Sequence, residues 1–258
     1  MQINSENNPP AASSPDLSVV IPVYNEAQAI ALLVREVIDS LDGKIGYEII
    51  IVDDGSTDET ADVLIQLMHG SAQQLRLIQH ASNYGQSTAI NTGIQSATAP
   101  WIATLDGDSQ NDPADIIKLL SERDIASDPD LKLVCGYRKK RHDNLVRRLS
   151  SRIANAVRSK MLQDSTPDTG CGLKLIHRTT FLSLPFFDHM HRFIPALMKR
   201  SGAKIISVEV SHRPRKTGMS KYSINNRLWV GLVDLFGMLW LMRRSSTPIK
   251  KEVTRYDF

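Results

Sequence analysis

Two apolar runs, one beginning at Leu17 and one spanning Tyr47 to Val52, are separated by a single amphipathic helical segment. That arrangement leaves few topologies. Antiparallel neighbours can be joined by a tight turn, whereas a helix between two strands returns the chain to the same end of the sheet and makes the strands parallel. The first run ends in a turn at Tyr24-Asn25-Glu26, and Pro22, which lacks an N–H, suits a strand end better than a strand centre. Apolar residues Ile30, Leu33, Val34, Val37 and Ile38 then mark a helix over about 27–41, closed by the loop glycines Gly43 and Gly46. The second run stops at Asp53-Asp54-Gly55-Ser56-Thr57-Asp58, where Thr57 or Asp58 supplies the N-cap of the next helix, about 58–68.

The alternation continues. A strand is expected over 75–79, a turn at Asn83-Tyr84-Gly85-Gln86-Ser87, a helix over 89–96, and a strand from Trp101 to Leu105. A helix over 116–123, a strand over 132–136, a helix from His189 through Lys199 and a strand over 204–210 follow. This is the pattern of a doubly wound α/β sheet, mostly parallel, with helices on both faces and ligands outside the carboxyl ends of the strands. Neither Gly-x-Gly-x-x-Gly nor a P-loop follows the first strand, which weighs against a dehydrogenase or a P-loop NTPase.

The Trp101 strand runs into Asp106-Gly-Asp108-Ser-Gln110-Asn-Asp112-Pro113. Two carboxylates one residue apart at such a strand end make a poor core and a good site for a hard divalent ion, which commonly bridges to a substrate diphosphate. The same spacing also occurs in solvated turns, so its neighbours must decide.

Net charge is only +3, and what matters is where the cations lie. Arg138, Lys139, Lys140, Arg141, Arg147, Arg148, Arg152, Arg158 and Lys160 face a single acid, Asp143, and Leu145, Leu149, Ile153, Val157 and Met161 recur among them at four-residue steps. That is an amphipathic basic helix, suited to anionic lipid headgroups. No aromatic residues interleave the cations and no nucleic-acid motif is present, so a nucleic-acid partner is not expected. The two cysteines, Cys135 and Cys171, make no disulfide framework and fit a reduced, cytoplasmic setting. Residues 1–16 are polar, lack an apolar signal core and read as a disordered lead-in.

Taken together, Val20-Ile-Pro22-Val-Tyr24-Asn25-Glu26, Val52-Asp53-Asp54-Gly55-Ser56, Asn83-x-Gly85 with Asn91-x-Gly93, and Asp106-Gly-Asp108 resemble, in order and spacing, a family 2 glycosyltransferase. Within that family the chain is similar to the polyprenyl-phosphate enzymes of the dolichol-phosphate mannose synthase group, through Asp108-Ser-Gln110-x-x-Pro113, Gly136-Tyr-Arg138, Arg147 and Ser151, Asp168-x-x-x-Gly172 and Gly218-x-Ser220-Lys221. The resemblance implies a GT-A, Rossmann-like fold over residues 17–225, followed by an interfacial helix and tail over 226–258. It implies a nucleotide pocket of Pro22, Tyr24, Asn25, Glu26, Asp53, Asp54, Gly85 and Asp106, with Asp54 accepting a hydrogen bond from the base. Asp106, Asp108 and Gln110 would hold Mg²⁺ or Mn²⁺. Arg138, Arg147, Ser151, Ser220 and Lys221 would grip the acceptor phosphate, and Asp168 would join the catalytic set. Cys171-Gly172-Leu173-Lys174 departs from the family's usual Ser-Gly-Phe-Arg at that point.

The implied reaction is inverting transfer of a sugar from a UDP- or GDP-sugar to a polyprenyl phosphate, which needs no covalent intermediate on Cys171. A sugar hydroxyl as acceptor and a non-catalytic membrane scaffold are the alternatives. An anionic phosphate needs cations rather than a general base, and this chain is rich in arginine. His191 and Arg192 are further candidates for diphosphate or sugar contacts. Leu228 to Met242 is apolar apart from Asp234 and two glycines, and arginines flank it. At ~1.5 Å per residue it is shorter than a bilayer's ~30 Å core, so it reads as an interfacial helix on the cytoplasmic face of a membrane, with a buried helix or an oligomer contact as the other reading.

Overall fold

The computed structural model describes residues 14–70, 74–139, 161–162, 164, 166–214 and 224–244. Its strands are β1 (Leu17–Val23), β2 (Tyr47–Asp53), β3 (Leu75–Gln79), β4 (Trp101–Thr104), β5 (Leu131–Tyr137), β6 (Lys174–His177) and β7 (Lys204–Glu209). They form one sheet in the order β3-β2-β1-β4-β6-β5-β7. The helices are α1 (Ala27–Leu41), α2 (Thr60–Gly70), α3 (Gln86–Ser96), α4 (Asp115–Ala126), α5 (Arg178–Leu182), α6 (Ile194–Arg200) and α7 (Ile224–Arg243).

β1 pairs parallel with β2 along its whole length, and with β4 only as far as Val20 opposite Thr104. Pro22 therefore lies past the β4 ladder, where its missing N–H leaves no bond unmade. Side chains alternate across the sheet. Leu17, Val19, Ile21 and Val23 pack with α1, Leu64 of α2, and Ile116 and Leu119 of α4. Val20, Ile50 and Val52 face α3, α5, α6 and Met238 of α7. At Gly93 an added Cβ would stand 2.4 Å from Val20 Cγ1, so only glycine lets α3 lie this close to β1.

Lys174–His177, to which the sequence pattern assigns no element, is a strand that inserts antiparallel between β4 and β5. The helix expected from His189 through Lys199 is a 3₁₀ turn at Met190–Arg192 followed by α6, because His189 enters it with φ 62, outside the helical region. The basic segment around Arg147 and Ser151, and the loop with Ser220 and Lys221, lie outside the described residues.

Candidate active site

The carboxyl ends of β1, β2 and β4 open onto one crest, and the turns there are tied to one another. Asn25, at φ 54, donates its backbone N–H to Ser56 Oγ at 2.8 Å and accepts from Thr57 N at 2.7 Å, while Glu26 N donates to Thr60 Oγ1 at 2.9 Å. Asp58 accepts from Thr60 N at 3.1 Å and so caps α2. Asp53 accepts from Ser56 N at 3.0 Å and Gln79 Nε2 at 3.4 Å. Asp54 is 3% exposed. It accepts from Tyr84 N at 3.0 Å and Gly85 N at 2.7 Å, and its other close partner is His80 Nδ1 at 2.7 Å. The two acids expected to meet a nucleotide are thus engaged by the chain's own donors, Asp53 at the Ser56 turn and Asp54 at the Tyr84–Gly85 turn, which leaves the Tyr84 ring exposed beside His80. Pro22 is buried at the end of β1, and Tyr24 and Glu26 stand half-buried at the rim.

Beyond these turns lies the acidic loop. Asp106 is half-buried, and its Oδ1 accepts from Gln86 Nε2 at 2.8 Å. A Cβ on Gly172 would sit 2.2 Å from its Oδ2, so the Gly172 backbone is the floor on which Asp106 rests. Thr104 Oγ1 fixes that floor by donating to Gly172 O at 2.7 Å. Burial first, and the neighbouring Asp108 second, push the Asp106 carboxyl up to about 6 against the pull of Lys174, Arg138 and Gln86. Asp108 accepts from Gln110 N at 3.2 Å. Between them Ser109 turns at φ 57 and its buried Oγ has no hydrogen-bond partner.

This donor set fits a hard divalent ion. Two repelling carboxylates and a carboxamide are oxygen donors, and raising Asp106 toward 6 means a cation would be welcomed there. Among the described residues no cluster of three His, Cys, Asp or Glu side chains is poised to hold a metal.

Arg138 and Asp168 form a two-pronged pair, Nε to Oδ2 at 2.6 Å and Nη2 to Oδ1 at 3.0 Å, with side chains 10% and 7% exposed. Arg138 N adds a third bond to Oδ2 at 3.3 Å. This arrangement was invisible in the sequence, where the two residues stood as separate site groups. Lys174 is buried and donates to Thr169 O at 3.4 Å and to Cys171 O. Cys171 is fully buried, burial pushes its thiol up, and Asn111 Nδ2 approaches its sulfur at 3.7 Å, all consistent with a packing role.

Gln86 and Ser87 were missed as site residues, although they follow the Asn83-x-Gly85 motif directly. Ser87 Oγ lies 2.7 Å from His191 Nδ1 and accepts from His191 N at 3.1 Å, which ties the 3₁₀ turn to the first turn of α3. Burial, then Arg192, Lys174 and His189, push the His191 imidazole down to about 3. An unfolded histidine protonates near 6.5. Between those values the unfolded chain binds a proton that the folded one refuses, so stability should fall as pH drops from about 6.5 toward 3. Thermal melts across that range should show it, and His191→Asn should flatten part of the slope. An unchanged slope would mean that His191 does not contribute.

One face of α7 packs toward the helix layer, where Arg200 Nε of α6 donates to Leu241 O at 3.2 Å. Met238 is 1% exposed, and Asp234 Oδ2 lies 3.4 Å from His189 Nδ1. The opposite face presents Val233, Phe236 and Trp240, at 66%, 67% and 62% exposure, and ends at Arg243 and Arg244. α7 is thus buried on one side and bare on the other.

Solved structures place this architecture among GT-A glycosyltransferases. A mannosyltransferase from Pyrobaculum calidifontis in complex with GDP-Man and Mn²⁺ matches with a TM-score of 0.66 at 20% identity, over 92% of this chain and 67% of that one. Glucosyl-3-phosphoglycerate synthase from Mycobacterium tuberculosis, in complex with Mn²⁺, UDP-Glc and glycerol 3-phosphate, matches at 0.64 and 18%, over 88% of this chain and 80% of that one. The chain itself belongs to glycosyl transferase family 2, whose family profile matches residues 18–183. It is 34% identical to a dodecaprenyl-phosphate galacturonate synthase from Rhizobium johnstonii, over 95% of this chain and 72% of that protein. It is 35% identical to an undecaprenyl-phosphate 4-deoxy-4-formamido-L-arabinose transferase from Photorhabdus laumondii, over 80% of this chain and 63% of that protein.

Proposed function

We propose that this protein transfers a sugar from a nucleotide-sugar to a polyprenyl phosphate at a membrane surface, with inversion at the anomeric carbon. The observation that carries the reading is the likeness, across nearly the whole chain, to enzymes named for a prenyl-phosphate acceptor. The turn cluster of Tyr24, Glu26 and Asp54 frames the nucleotide. Asp106, Asp108 and Gln110 would hold Mg²⁺ or Mn²⁺, which supplies positive charge to the departing diphosphate without a proton donor. Gln86 and the Gly172 floor orient Asp106 for that task. A phosphate acceptor arrives already anionic, so no residue need remove a proton from it. Asp168, held by Arg138, is correspondingly not poised as a general base. Arg147, Ser151, Ser220 and Lys221 are the further acceptor-phosphate groups under this reading.

The test is incubation of the protein with Mn²⁺, labelled UDP- and GDP-sugars and undecaprenyl phosphate. A lipid-linked product that mild acid releases supports a glycosyl phosphate. An acid-stable product on a sugar hydroxyl would favour the alternative acceptor, and nucleotide-sugar binding without turnover would favour a scaffold.

The bare face of α7 is the proposed contact with the cytoplasmic leaflet. No described helix is long and apolar enough to cross a membrane, and an exposed Phe-Trp stripe ending in arginines suits the headgroup boundary. Each large side chain withdrawn from water contributes roughly 1.5–3 kcal/mol. Replacing Val233, Phe236 and Trp240 together by serine should therefore weaken binding to anionic vesicles at least tenfold in sedimentation assays, with the melting temperature little changed. Undiminished vesicle binding would remove α7 from this role.

A further inference from the structure

We infer that Arg213 is a positioning residue that holds the acidic loop in register for the metal; the inference rests on the metal reading above. The segment leaving β7 is stitched along that loop and the start of α4. Arg213 N donates to Gln110 O at 2.9 Å, Asn111 and His212 form an antiparallel bridge, and Ser211 N donates to Asp115 Oδ2 at 2.6 Å. The Arg213 side chain then forks. Nη1 meets Glu36 Oε2 on α1 at 2.7 Å, and Nη2 meets Asp112 Oδ2 at 2.8 Å. Asp112 is itself tied to Ala114 N at 3.0 Å through its other oxygen.

The geometry spans three elements. α1 packs firmly, with Leu33 and Val37 fully buried on either side of Glu36 in the sequence. The loop it steadies does not pack as well, since Ser109 sits at a strained positive φ with an orphaned hydroxyl. A fork anchored on α1 supplies the rigidity the loop lacks, and it acts on the backbone of Gln110 and on the end of the Asp108–Asp112 segment. Only a planar guanidinium offers two N–H edges to two separate carboxylates, and a lysine ammonium cannot span them in the same way. Groups that orient metal ligands in this manner typically contribute 10–100-fold in metal affinity.

Charge alone predicts the opposite sign. Arg213 is a cation beside a cation site, so deleting it should tighten the metal if electrostatics ruled. The experiment is Mn²⁺ titration, followed by calorimetry and by loss of the free Mn²⁺ EPR signal, in the presence of UDP or GDP. Wild type, Arg213→Ala, Arg213→Lys and Glu36→Gln are compared, with Lys204→Ala, which breaks an exposed ion pair to Asp128 at 2.6 Å, as a control for lost charge. The Mn²⁺ dissociation constant should rise about tenfold in both Arg213 variants, rise less in Glu36→Gln, and stay unchanged in the control. Unchanged or tighter binding in Arg213→Ala overturns the inference. Should that variant not fold, Glu36→Gln decides, and wild-type affinity there overturns it equally. Wild-type protein that binds no Mn²⁺ with either nucleotide overturns the metal reading itself and this inference with it.

Discussion

Replacing Asp108 by alanine is expected to lower sugar transfer about a thousandfold while the protein stays folded. A divalent ion contributes several kcal/mol to stabilising charge on the leaving diphosphate, and each ~1.4 kcal/mol is a factor of ten in rate. With Asp108 gone, Asp106 would be left as a single carboxylate for the ion, and the negative charge that draws a divalent cation to the loop is reduced. Asp108 supplies the second charge. Asp108 accepts a hydrogen bond from Gln110 N at 3.2 Å and is only half-buried, so its removal should change stability by no more than about 1 kcal/mol. Initial rates with labelled nucleotide-sugar, alongside a thermal melt, separate the two effects. Transfer near the wild-type rate would sink the assignment of Asp108 to the metal.

Asp168→Ala should produce the largest loss of stability, about 3–5 kcal/mol, because it strands Arg138 in a nearly closed site. For a chain of this size that is a fall of roughly 10 °C in melting temperature. Both Asp168 oxygens bond the Arg138 guanidinium, at 2.6 and 3.0 Å, and this pair acts on Arg138 more strongly than the nearby Asp106 charge does. The sharper measurement is the pair replaced together. Arg138→Met with Asp168→Leu removes both charges, and much of the lost stability should return, since a buried ion pair rarely outperforms apolar side chains of similar size. If that double variant melts near wild type yet fails to transfer sugar, Arg138 has a role at the acceptor phosphate as well as in the fold. If Asp168→Ala melts within a degree or two of wild type, the pair is not the structural clamp described.

The parts legible in the sequence are those coded by local pattern. β1, α1 and β2 follow from apolar runs and helical periodicity, and the observed α1 matches the expected span. The acids at the strand ends could be recognised as belonging to the crest, because a charge is costly to bury in a strand without a partner. What could not be read was whether such an acid faces a ligand or the chain. Asp54 is held by His80, Tyr84 and Gly85, 26 to 31 positions away. Arg138 and Asp168 looked like two independent site groups and are 30 positions apart. β6 escaped notice because it is only four residues long and opens on a lysine, and its reason to be extended lies in β4 and β5.

α7 shows the same division. Its apolar character was evident, but Asp234 in the middle read as an interruption when it is the contact to His189. Sequence alone determined the parallel α/β frame and the acidic loop at its carboxyl edge, since both depend on residues within one or two turns of each other. Tertiary structure decided which carboxylates are spent on the protein's own donors, which face of α7 stays bare, and how Arg213 joins α1 to the acidic loop. Those outcomes depend on partners brought together only when the sheet closes, and hydrogen bonds and ion pairs form between neighbours in space, however far apart they stand along the chain.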